Sequence, residues 1–378
     1  MKTLPPLFVL LFFVTLPCFS QAKDSSPTKL EGYAVPQKNP RFTFPRDHGA
    51  HPDFRIEWWY ITGHLFTLET PPRRFGFQAT FFRQAAPLTL TPPAASAYFA
   101  HDQIYLAHMA LLDVATGRFI HQERLNRAGW NASAATDTLD VMNGDWQLRL
   151  TDPVRETLAL RGGIRAEARF DFAFSPEKSL VRFGEGGYSR KGSAATAASY
   201  YLTFSRLGVN GTLQLDAVSL PVQGFAWMDH EISSSQLDTN QVGWDWLSIH
   251  FRDGRELMLY RLRLRDGSSD PASTLTWVDN AGRTMHTPFR LEVLDTWKSP
   301  HTGAVYPHRL KLHTTDPASG RTTVLQIEPL AKDQELGGAL GGVTYYEGAC
   351  RVVDEQSNEL GSAYLELTGY DQPVDALR

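Results

Sequence analysis

Two carboxylates and two aromatic rings share one face of a predicted β-strand in the second half of the chain. Side chains alternate along a strand, so one face of Gly224–Glu231 carries Phe225, Trp227, Asp229 and Glu231. Burial raises the pKa of a carboxyl group, and a second carboxylate nearby raises it further. A carboxyl group that is still protonated near pH 7 can donate a proton, so the pattern predicts Asp229 as a general acid.

His230 and Glu231 are the next catalytic candidates in this block, because either side chain could take a proton from an attacking water. A structural interpretation of the block stays open beside the catalytic one. In that interpretation Asp229 and His230 bind loop amides or a neighbouring arginine such as Arg46, as acidic residues at strand ends often do.

Indole rings are concentrated around the same kind of residues. Five of the nine tryptophans lie in three short blocks that also hold carboxylates and histidines. Trp244 and Trp246 are two residues apart on a predicted strand, so they form a flat apolar platform that suits a polyene or a ring. They would serve equally well as packing between domains. The residues predicted to contact a substrate are Glu57, Trp59, Tyr60, Trp227, Trp244 and Trp246.

The strand predicted at 55–66 carries an indole on each face, at Trp58 and Trp59. Apolar residues on both faces indicate a barrel wall that packs against a second domain. Glu57 lies among these apolar neighbours and must be paired or protonated, because an isolated buried charge is too costly. Arg55 and Arg83 are its candidate partners.

Four potential metal ligands crowd the segment 47–53, namely Asp47, His48, His51 and Asp53. Their spacing matches no zinc or calcium signature, and the glycine and proline within the segment indicate a turn. We therefore predict neither a metal nor another cofactor, and whether these four residues form a site or only a turn stays open.

Period-two alternation of apolar and polar residues predominates, which predicts an all-β protein. Arg165–Phe174 is the clearest case, with apolar residues at every even position. Many short antiparallel strands separated by turn residues indicate packed barrels or sandwiches. Short helical pieces are predicted only at 93–99 and 193–199.

The ends and the length of the chain predict export and two domains. Residues 1–22 have the features of a cleaved signal peptide, and no other apolar run could span a bilayer, so we predict a secreted or periplasmic protein without a transmembrane segment. Residues 23–45 are predicted as an extended leader. A chain of 378 residues exceeds what one core usually serves. We place an N-terminal domain at 46–235 and a C-terminal domain at 236–378.

The charge of the chain disfavours one class of partner. The formal net charge is −4 and there is no basic run, so nucleic acid is a poor candidate.

Several ordered blocks resemble a known family. They are Asp47–Asp53, Glu57–His64, Gly76–Arg83, Trp227–Glu231, Gly243–Trp246, Asp253–Arg261 and Tyr346–Ala349. In these blocks the chain resembles the two-domain, lipocalin-like (calycin) family of carotenoid hydratases and AttH-type secreted proteins. The resemblance implies two packed calycin-type β-barrels. For the hydratase branch it also implies cofactor-free addition of water to a terminal isoprenoid double bond, with Asp229 at the position of the proton donor.

Two functional hypotheses from different classes follow. The first is a cofactor-free hydratase for an isoprenoid or polyene-like substrate, in which Asp229 protonates the double bond. The second is a non-catalytic periplasmic carrier of lipid or other hydrophobic ligands. Both expect a hydrophobic small molecule as the partner, but only the hydratase needs a carboxyl group that titrates near neutral pH. Hydrolysis has the least support, because the chain lacks a Gly-x-Ser-x-Gly elbow and a His-Glu-x-x-His motif.

Overall fold

The computed structural model describes residues 27–85, 103–338, 340 and 343–374. The predicted signal peptide and the predicted helical piece at 93–99 lie outside these ranges. Within them the chain has no α-helix, and one 3₁₀ helix spans Arg46–His48. The prediction of an all-β protein is confirmed. None of the helical segments in these ranges has the length and apolar character needed to cross a membrane.

The first large sheet is built from the N-terminal two thirds of the chain. A small hairpin, β1 (Lys29–Leu30) and β2 (Tyr33–Ala34), precedes it. The strands that follow are β3 (Ile56–Thr67), β4 (Arg74–Ala85), β5 (Gln103–Asp113), β6 (Arg118–Arg127), β7 (Ala132–Ala134), β8 (Asp140–Asn143), β9 (Trp146–Asp152), β10 (Thr157–Ile164), β11 (Ala168–Pro176), β12 (Val181–Arg182), β13 (Tyr188–Arg190), β14 (Ala198–Leu215) and β15 (Val218–Ser235). Their order is β6-β5-β4-β3-β15-β14-β11-β10-β9-β8-β7, with β12 and β13 also pairing with β14.

The second large sheet is built from the C-terminal part of the chain. Its strands are β16 (Gln241–Phe251), β17 (Glu256–Leu264), β18 (Thr274–Val278), β19 (Thr284–His286), β20 (Phe289–Lys298), β21 (Val305–Thr315), β22 (Thr322–Pro329), β23 (Glu335–Leu336), β24 (Tyr345–Val353) and β25 (Glu359–Thr368). They are ordered β19-β18-β17-β16-β25-β24-β22-β21-β20, with β23 added on β24. All strand pairs in both curled sheets are antiparallel.

Alternation explains why these segments are strands. In β11 every second residue is buried, with phenylalanines at 170, 172 and 174 inside and Arg169 and Asp171 outside. The buried rings stack in the interior of the first sheet, where the ring centres of Phe170 and Phe172 are 5.1 Å apart. A strand that is apolar on one face and polar on the other is stable only when it covers a core. The sequence pattern predicts this strand correctly.

Each sheet closes over its own apolar core, and a third cluster joins the two. The interior of the first sheet is filled by residues such as Phe77 and Trp146, and that of the second by residues such as Trp277 and Tyr306. The third cluster lies where the outer faces of the sheets meet. It includes Tyr60, Tyr201, Trp227, Trp246 and Tyr364.

At one point of this seam the two sheets are almost in backbone contact. Gly76 of β4 lies against Ala349 of β24, and a Cβ atom built on Gly76 would be only 2.3 Å from the Ala349 Cβ. The absence of a side chain at position 76 therefore sets how closely the sheets approach.

The predicted helical piece at 193–199 is wrong. Residues 193–196 form bends and turns, and β14 already begins at Ala198. The reason is the Asp238 carboxylate, which accepts hydrogen bonds from the backbone N–H groups of Ser193 and Ala194 and from the Ser193 hydroxyl. Such side-chain bonds to the backbone compete with helix formation.

Candidate functional site

A cavity of about 70 Å³ lies between the outer faces of the two sheets. Strands β3, β4, β14 and β15 form one wall, and β16, β17, β24 and β25 form the other. Its lining is mainly aromatic, with a few ionisable groups. The lining residues are Trp58, Tyr60, Thr80, Phe82, Lys191, Tyr201, Asp229, Glu231, Gln236, Leu237, Trp244, Trp246, Tyr260, Leu262, Tyr345 and Glu366.

Asp229 is a buried carboxyl group in this aromatic wall, with 3% of its surface exposed. The Trp227 indole N–H and the Thr203 hydroxyl donate to its Oδ1 at 2.7 and 2.5 Å, and the Tyr201 hydroxyl donates to its Oδ2 at 2.7 Å. Burial and the nearby Glu231 charge raise the pKa of Asp229 to about 7, although these three hydrogen bonds oppose the rise. The group therefore exchanges its proton near neutral pH.

Two indole groups fix where that proton can reside. An indole N–H can only donate, so Oδ1 of Asp229 must accept from Trp227. The Tyr201 oxygen likewise accepts from the Trp246 indole N–H at 2.9 Å. Oδ1 also accepts from the Thr203 hydroxyl, whereas among the described residues Oδ2 accepts from Tyr201 alone, so we place the proton of the neutral Asp229 on Oδ2, where it donates to Tyr201. The Tyr201 O–H bond then points toward the cavity, because Oδ2 no longer accepts its hydrogen.

A second titrating carboxyl group lines the opposite wall. Glu366 of β25 accepts hydrogen bonds on Oε1 from the Trp244 indole N–H at 3.1 Å and from the Thr368 hydroxyl at 3.0 Å. Removal from bulk solvent raises the pKa of Glu366 to about 7, and the charges of Glu231 and Asp229 act in the same direction. Its partner across the strand pair, Glu347, is buried and has a pKa raised well above the ordinary value by burial and by Glu366.

One ion pair occupies the cavity wall. The Lys191 ammonium lies 2.9 Å from Oε2 of Glu231, and its Nζ is 4.5 Å from the Tyr201 ring centre and 4.2 Å from that of Tyr260. Although burial opposes it, the Glu231 charge raises the pKa of Lys191, so the lysine stays charged. The pair carries no net charge, because the Glu231 carboxylate is paired with the charged Lys191 ammonium.

A separate buried network lies on the other face of β15. Oε1 of Glu57 is 2.9 Å from Nδ1 of His51 and 2.8 Å from Nε2 of His230, and Oε2 accepts from Nε of Arg83 at 2.9 Å. Burial alone would raise the pKa of Glu57, but the two histidines and Arg83 hold it below its ordinary value. Burial lowers the pKa of His230 to about 4, so this histidine is neutral at pH 7.

This network also answers the open question about the segment 47–53. Nε2 of His51 lies 3.1 Å from Oδ1 of Asp47, and His48 pairs with Glu156 at 3.2 Å, so the histidines anchor a turn. Among the described residues, His51, Glu57 and His230 are close enough together to hold a metal ion. Four hydrogen bonds already satisfy the Glu57 carboxylate, and Arg83 supplies the positive charge that a metal would bring. The donor set therefore fits an ion-pair network better than a metal centre.

The structure distributes the predicted site residues over two places. Five of them line the cavity: Tyr60, Asp229, Glu231, Trp244 and Trp246. Trp227 contacts the site through the hydrogen bond from its indole N–H to Asp229. Glu57, Trp59 and His230 do not line it. The Trp59 ring is fully buried and stacks on His230, with ring centres 4.9 Å apart. The reason is strand alternation, since these three point into the first sheet.

Sequence reasoning missed Lys191, Tyr201 and Glu366. Glu366 shares its face of β25 with Ser362, Tyr364 and Thr368, whereas Ala363, Leu365 and Leu367 form the apolar face. Alternation therefore assigns Glu366 to a polar, outward face, which gives no sequence signal for a buried site. Nothing local in the sequence marks Lys191, which lies in the irregular segment after β13.

Residues 35–370 match the AttH-like family. The chain belongs to this family. An AttH candidate from Nitrosomonas europaea is 36% identical, covers 89% of this chain and 99% of its own, and superposes with a TM-score of 0.78. The predicted family resemblance and its two-domain lipocalin-like fold are confirmed.

Two more distant structures share the fold. Kievitone hydratase from Nectria haematococca is 16% identical, covers 92% of this chain and 98% of its own, and has a TM-score of 0.66. CghA is 11% identical, covers 91% of this chain and 98% of its own, and has a TM-score of 0.51. A comparison with curated protein sequences gives no significant match.

Proposed function

We propose that this protein adds water to a carbon–carbon double bond of an apolar, isoprenoid-like molecule held in the cavity between the sheets, without a cofactor. The observation that carries the proposal is Asp229, a buried carboxyl group with a pKa of about 7 in an aromatic wall. A protonated acid beside a water-poor pocket is what alkene protonation requires. The likeness to kievitone hydratase supports the proposal as an analogy of fold.

The acid in this proposal is Asp229 together with the Tyr201 hydroxyl. When Oδ2 of Asp229 is protonated, the Tyr201 hydroxyl hydrogen turns to the cavity, as the two indole donors dictate. Proton transfer from this pair to the double bond leaves a carbocation on the substrate. The rings of Trp58, Trp244 and Trp246 stabilise that cation, each by about 2 kcal/mol when water is excluded.

The size of the cavity indicates how much of a substrate reacts inside it. About 70 Å³ holds roughly five water molecules or a group of about five heavy atoms. One isoprenyl unit has this size. We therefore propose that the unsaturated end of a larger apolar molecule enters the cavity. We further propose that the protein meets this substrate outside the cytoplasm, in accord with its signal-peptide-like N-terminus.

The test follows oxygen-18 from labelled water into kievitone and into citronellol, a small isoprenoid with one trisubstituted double bond. We expect the wild-type protein to incorporate the label. Asp229→Asn should reduce incorporation by roughly 100-fold or more, because Asn keeps the shape of the protonated acid but has no acidic proton to transfer. Tyr201→Phe should reduce it as well, since the hydroxyl that faces the cavity is lost.

A matched control is Asp171→Asn, which changes an exposed aspartate on β11 and should leave incorporation unchanged. Incorporation by Asp229→Asn at the wild-type rate would contradict the role of Asp229. If the wild-type protein binds these molecules without labelling either of them, the non-catalytic carrier becomes the better account of the cavity.

A further inference from the structure

Two carboxyl groups face the same cavity from opposite sheets, and each is held by a tryptophan. Asp229 of β15 accepts the indole N–H of Trp227, and Glu366 of β25 accepts that of Trp244. Both residues line the cavity. Each wall therefore presents a carboxyl group with a pKa of about 7 to whatever occupies the space between them.

The hydrogen bonding of the two groups differs in a way that separates their roles. Both oxygens of Asp229 accept bonds from protein donors. Among the described residues, the donors to Glu366 are Trp244 and Thr368, and both reach Oε1. Oε2 is therefore free to accept a hydrogen bond from a water molecule in the cavity. Glu366 is also only half-buried, whereas Asp229 is almost fully buried.

We propose that Glu366 is the general base of the hydration reaction, which takes a proton from the attacking water while Asp229 on the facing sheet protonates the double bond. This inference rests on the proposed hydration and deepens it. The double bond lies between the walls, so the proton arrives from the first sheet and the water from the second.

The step balances without any further reactant. The π electrons of the double bond take the proton of the Asp229–Tyr201 pair, so a C–H bond forms and an O–H bond breaks. Water then forms a C–O bond to the cation and gives one proton to Oε2 of Glu366. The product is an alcohol, Asp229 is left ionised and Glu366 protonated. A cavity water returns the proton from Glu366 to Asp229 before the next turnover.

The other ionisable groups around the cavity are less suited to this role. Glu231 is committed to Lys191 at 2.9 Å, and His230 points away from the cavity toward Glu57. Glu347, next to Glu366 on β24, accepts the Tyr60 hydroxyl, and burial raises its pKa well above the ordinary value, which favours its protonated form. The remaining groups facing the two carboxyls are the hydroxyls of Tyr201, Tyr260 and Tyr345. Burial raises the pKa of Tyr201 and Tyr345, so these two stay neutral.

The experiment separates proton transfer from water addition. Kievitone and citronellol are incubated with the full-length protein in deuterium oxide enriched in oxygen-18, and both the product and the recovered alkene are analysed by mass spectrometry. In Glu366→Gln we expect oxygen-18 incorporation to fall by roughly 100-fold or more. Deuterium should still enter the recovered alkene, because the cation forms and then loses a proton back to Asp229. In Asp229→Asn neither label should enter.

The matched control is Glu347→Gln, the neighbour of Glu366 on the adjacent strand. It replaces a neutral acid by a neutral amide of the same shape, so both labels should enter as in the wild type. Wild-type oxygen-18 incorporation by Glu366→Gln would overturn the role of Glu366 while leaving the proposed hydration intact. Absence of both labels with the wild-type protein would overturn the proposed hydration and this inference together.

A second measurement does not depend on turnover. Infrared difference spectra of the wild-type protein, recorded as the pH is raised through about 7, should show carboxyl bands from both Asp229 and Glu366. Each single variant should lose one band. If Glu366→Gln keeps every band, Glu366 does not titrate in this range and cannot be the base. Where turnover is measurable, its fall on the acidic side of the pH profile should be absent in Glu366→Gln.

Discussion

At the scale of single residues, donor-only groups determine the chemistry of the cavity. Trp227 and Trp244 each donate an N–H bond to a carboxyl group with a pKa of about 7, and Trp246 donates to the Tyr201 hydroxyl beside Asp229. An indole cannot accept a hydrogen bond through its nitrogen, so each bond fixes one oxygen as an acceptor. These tryptophans therefore position protons in addition to supplying apolar surface.

The raised pKa of Asp229 predicts how stability depends on pH. The folded-state pKa of about 7 exceeds the unfolded value, so the folded protein binds more protons than the unfolded chain between about pH 4 and 7. The contribution of Asp229 to the unfolding free energy should therefore fall as the pH rises through this range, by on the order of 4 kcal/mol. Urea unfolding of the wild type and of Asp229→Asn across this range is the measurement.

Relative to the wild type, the variant should gain stability as the pH rises from about 4 to 7, because its amide cannot ionise, and the difference should stay constant above about pH 7. A residual slope should remain from Glu366, whose pKa is also raised. Parallel curves for the two proteins would show that Asp229 does not carry the raised pKa.

Strand alternation is enough to predict which residues share a face of β15 with Asp229, but it does not predict what that face packs against. The grouping of Phe225, Trp227, Asp229 and Glu231 follows from a period of two, which is a local property. Whether that face covers the interior of a barrel or the seam between two sheets depends on residues far away in the chain. For the same reason Glu366, more than a hundred residues later, could not be connected to Asp229 from the sequence.

At the scale of elements, β15 carries a different kind of polar group on each face. The face with Asp229 holds a group that exchanges its proton near neutral pH, whereas the face with His230 contacts the ion-pair network of Glu57 and Arg83. This network ties β3, β4 and β15 to the turn at 46–54, with Arg83 also donating to the His51 and Phe54 carbonyls at 2.9 Å. It fixes the strand that presents Asp229.

Removal of Arg83 tests the strength of this network. The side chains of Arg83 and Glu57 are 1% and 0% exposed, so Arg83→Met leaves an unpaired charge in the core. We expect a loss of roughly 3–5 kcal/mol in unfolding free energy at pH 7. Urea unfolding measures it, and Arg83→Met combined with Glu57→Met should recover part of the loss because no buried charge remains.

The comparison variant is Arg161→Met, which breaks a cross-strand Arg–Asp pair whose side chains are 56% and 60% exposed. Solvent screens such a pair, so its loss should cost less than about 1 kcal/mol. Equal losses of unfolding free energy for the two variants would show that burial does not determine how much each ion pair contributes to stability.

At the scale of the whole molecule, the cavity exists because two curled sheets, each with its own filled core, meet at their outer faces. Neither sheet forms the cavity alone, and the sheets approach each other closely at Gly76 and Ala349. The all-β fold and its two-domain lipocalin-like character were predictable from alternation and from the family resemblance. The position of the cavity was not, because how two sheets dock has no signature within a single strand.

The prediction at this scale concerns Gly76→Ala. The added Cβ would lie 2.3 Å from the Ala349 Cβ, so the sheets must separate locally. Overpacking of this kind should cost about 1–3 kcal/mol in unfolding free energy. A shift of about 1 Å between acid and base can lower the rate on the order of 100-fold. Oxygen-18 incorporation should therefore fall by more than the loss of folded protein alone would cause.

Gly337→Ala serves as the control, since a Cβ at position 337 has no neighbour within 4 Å. It should leave both stability and incorporation unchanged. Unaltered incorporation in Gly76→Ala would show that the distance between the sheets does not govern the reaction.

The placement of Asp229 and Glu366 on separate sheets has a consequence for how such proteins diverge. A substitution in either barrel core that tilts one sheet against the other changes the separation of the two carboxyls without touching either of them. Selection could thus adapt one catalytic pair to substrates of different girth by remodelling remote packing, while every side chain that meets the substrate is retained.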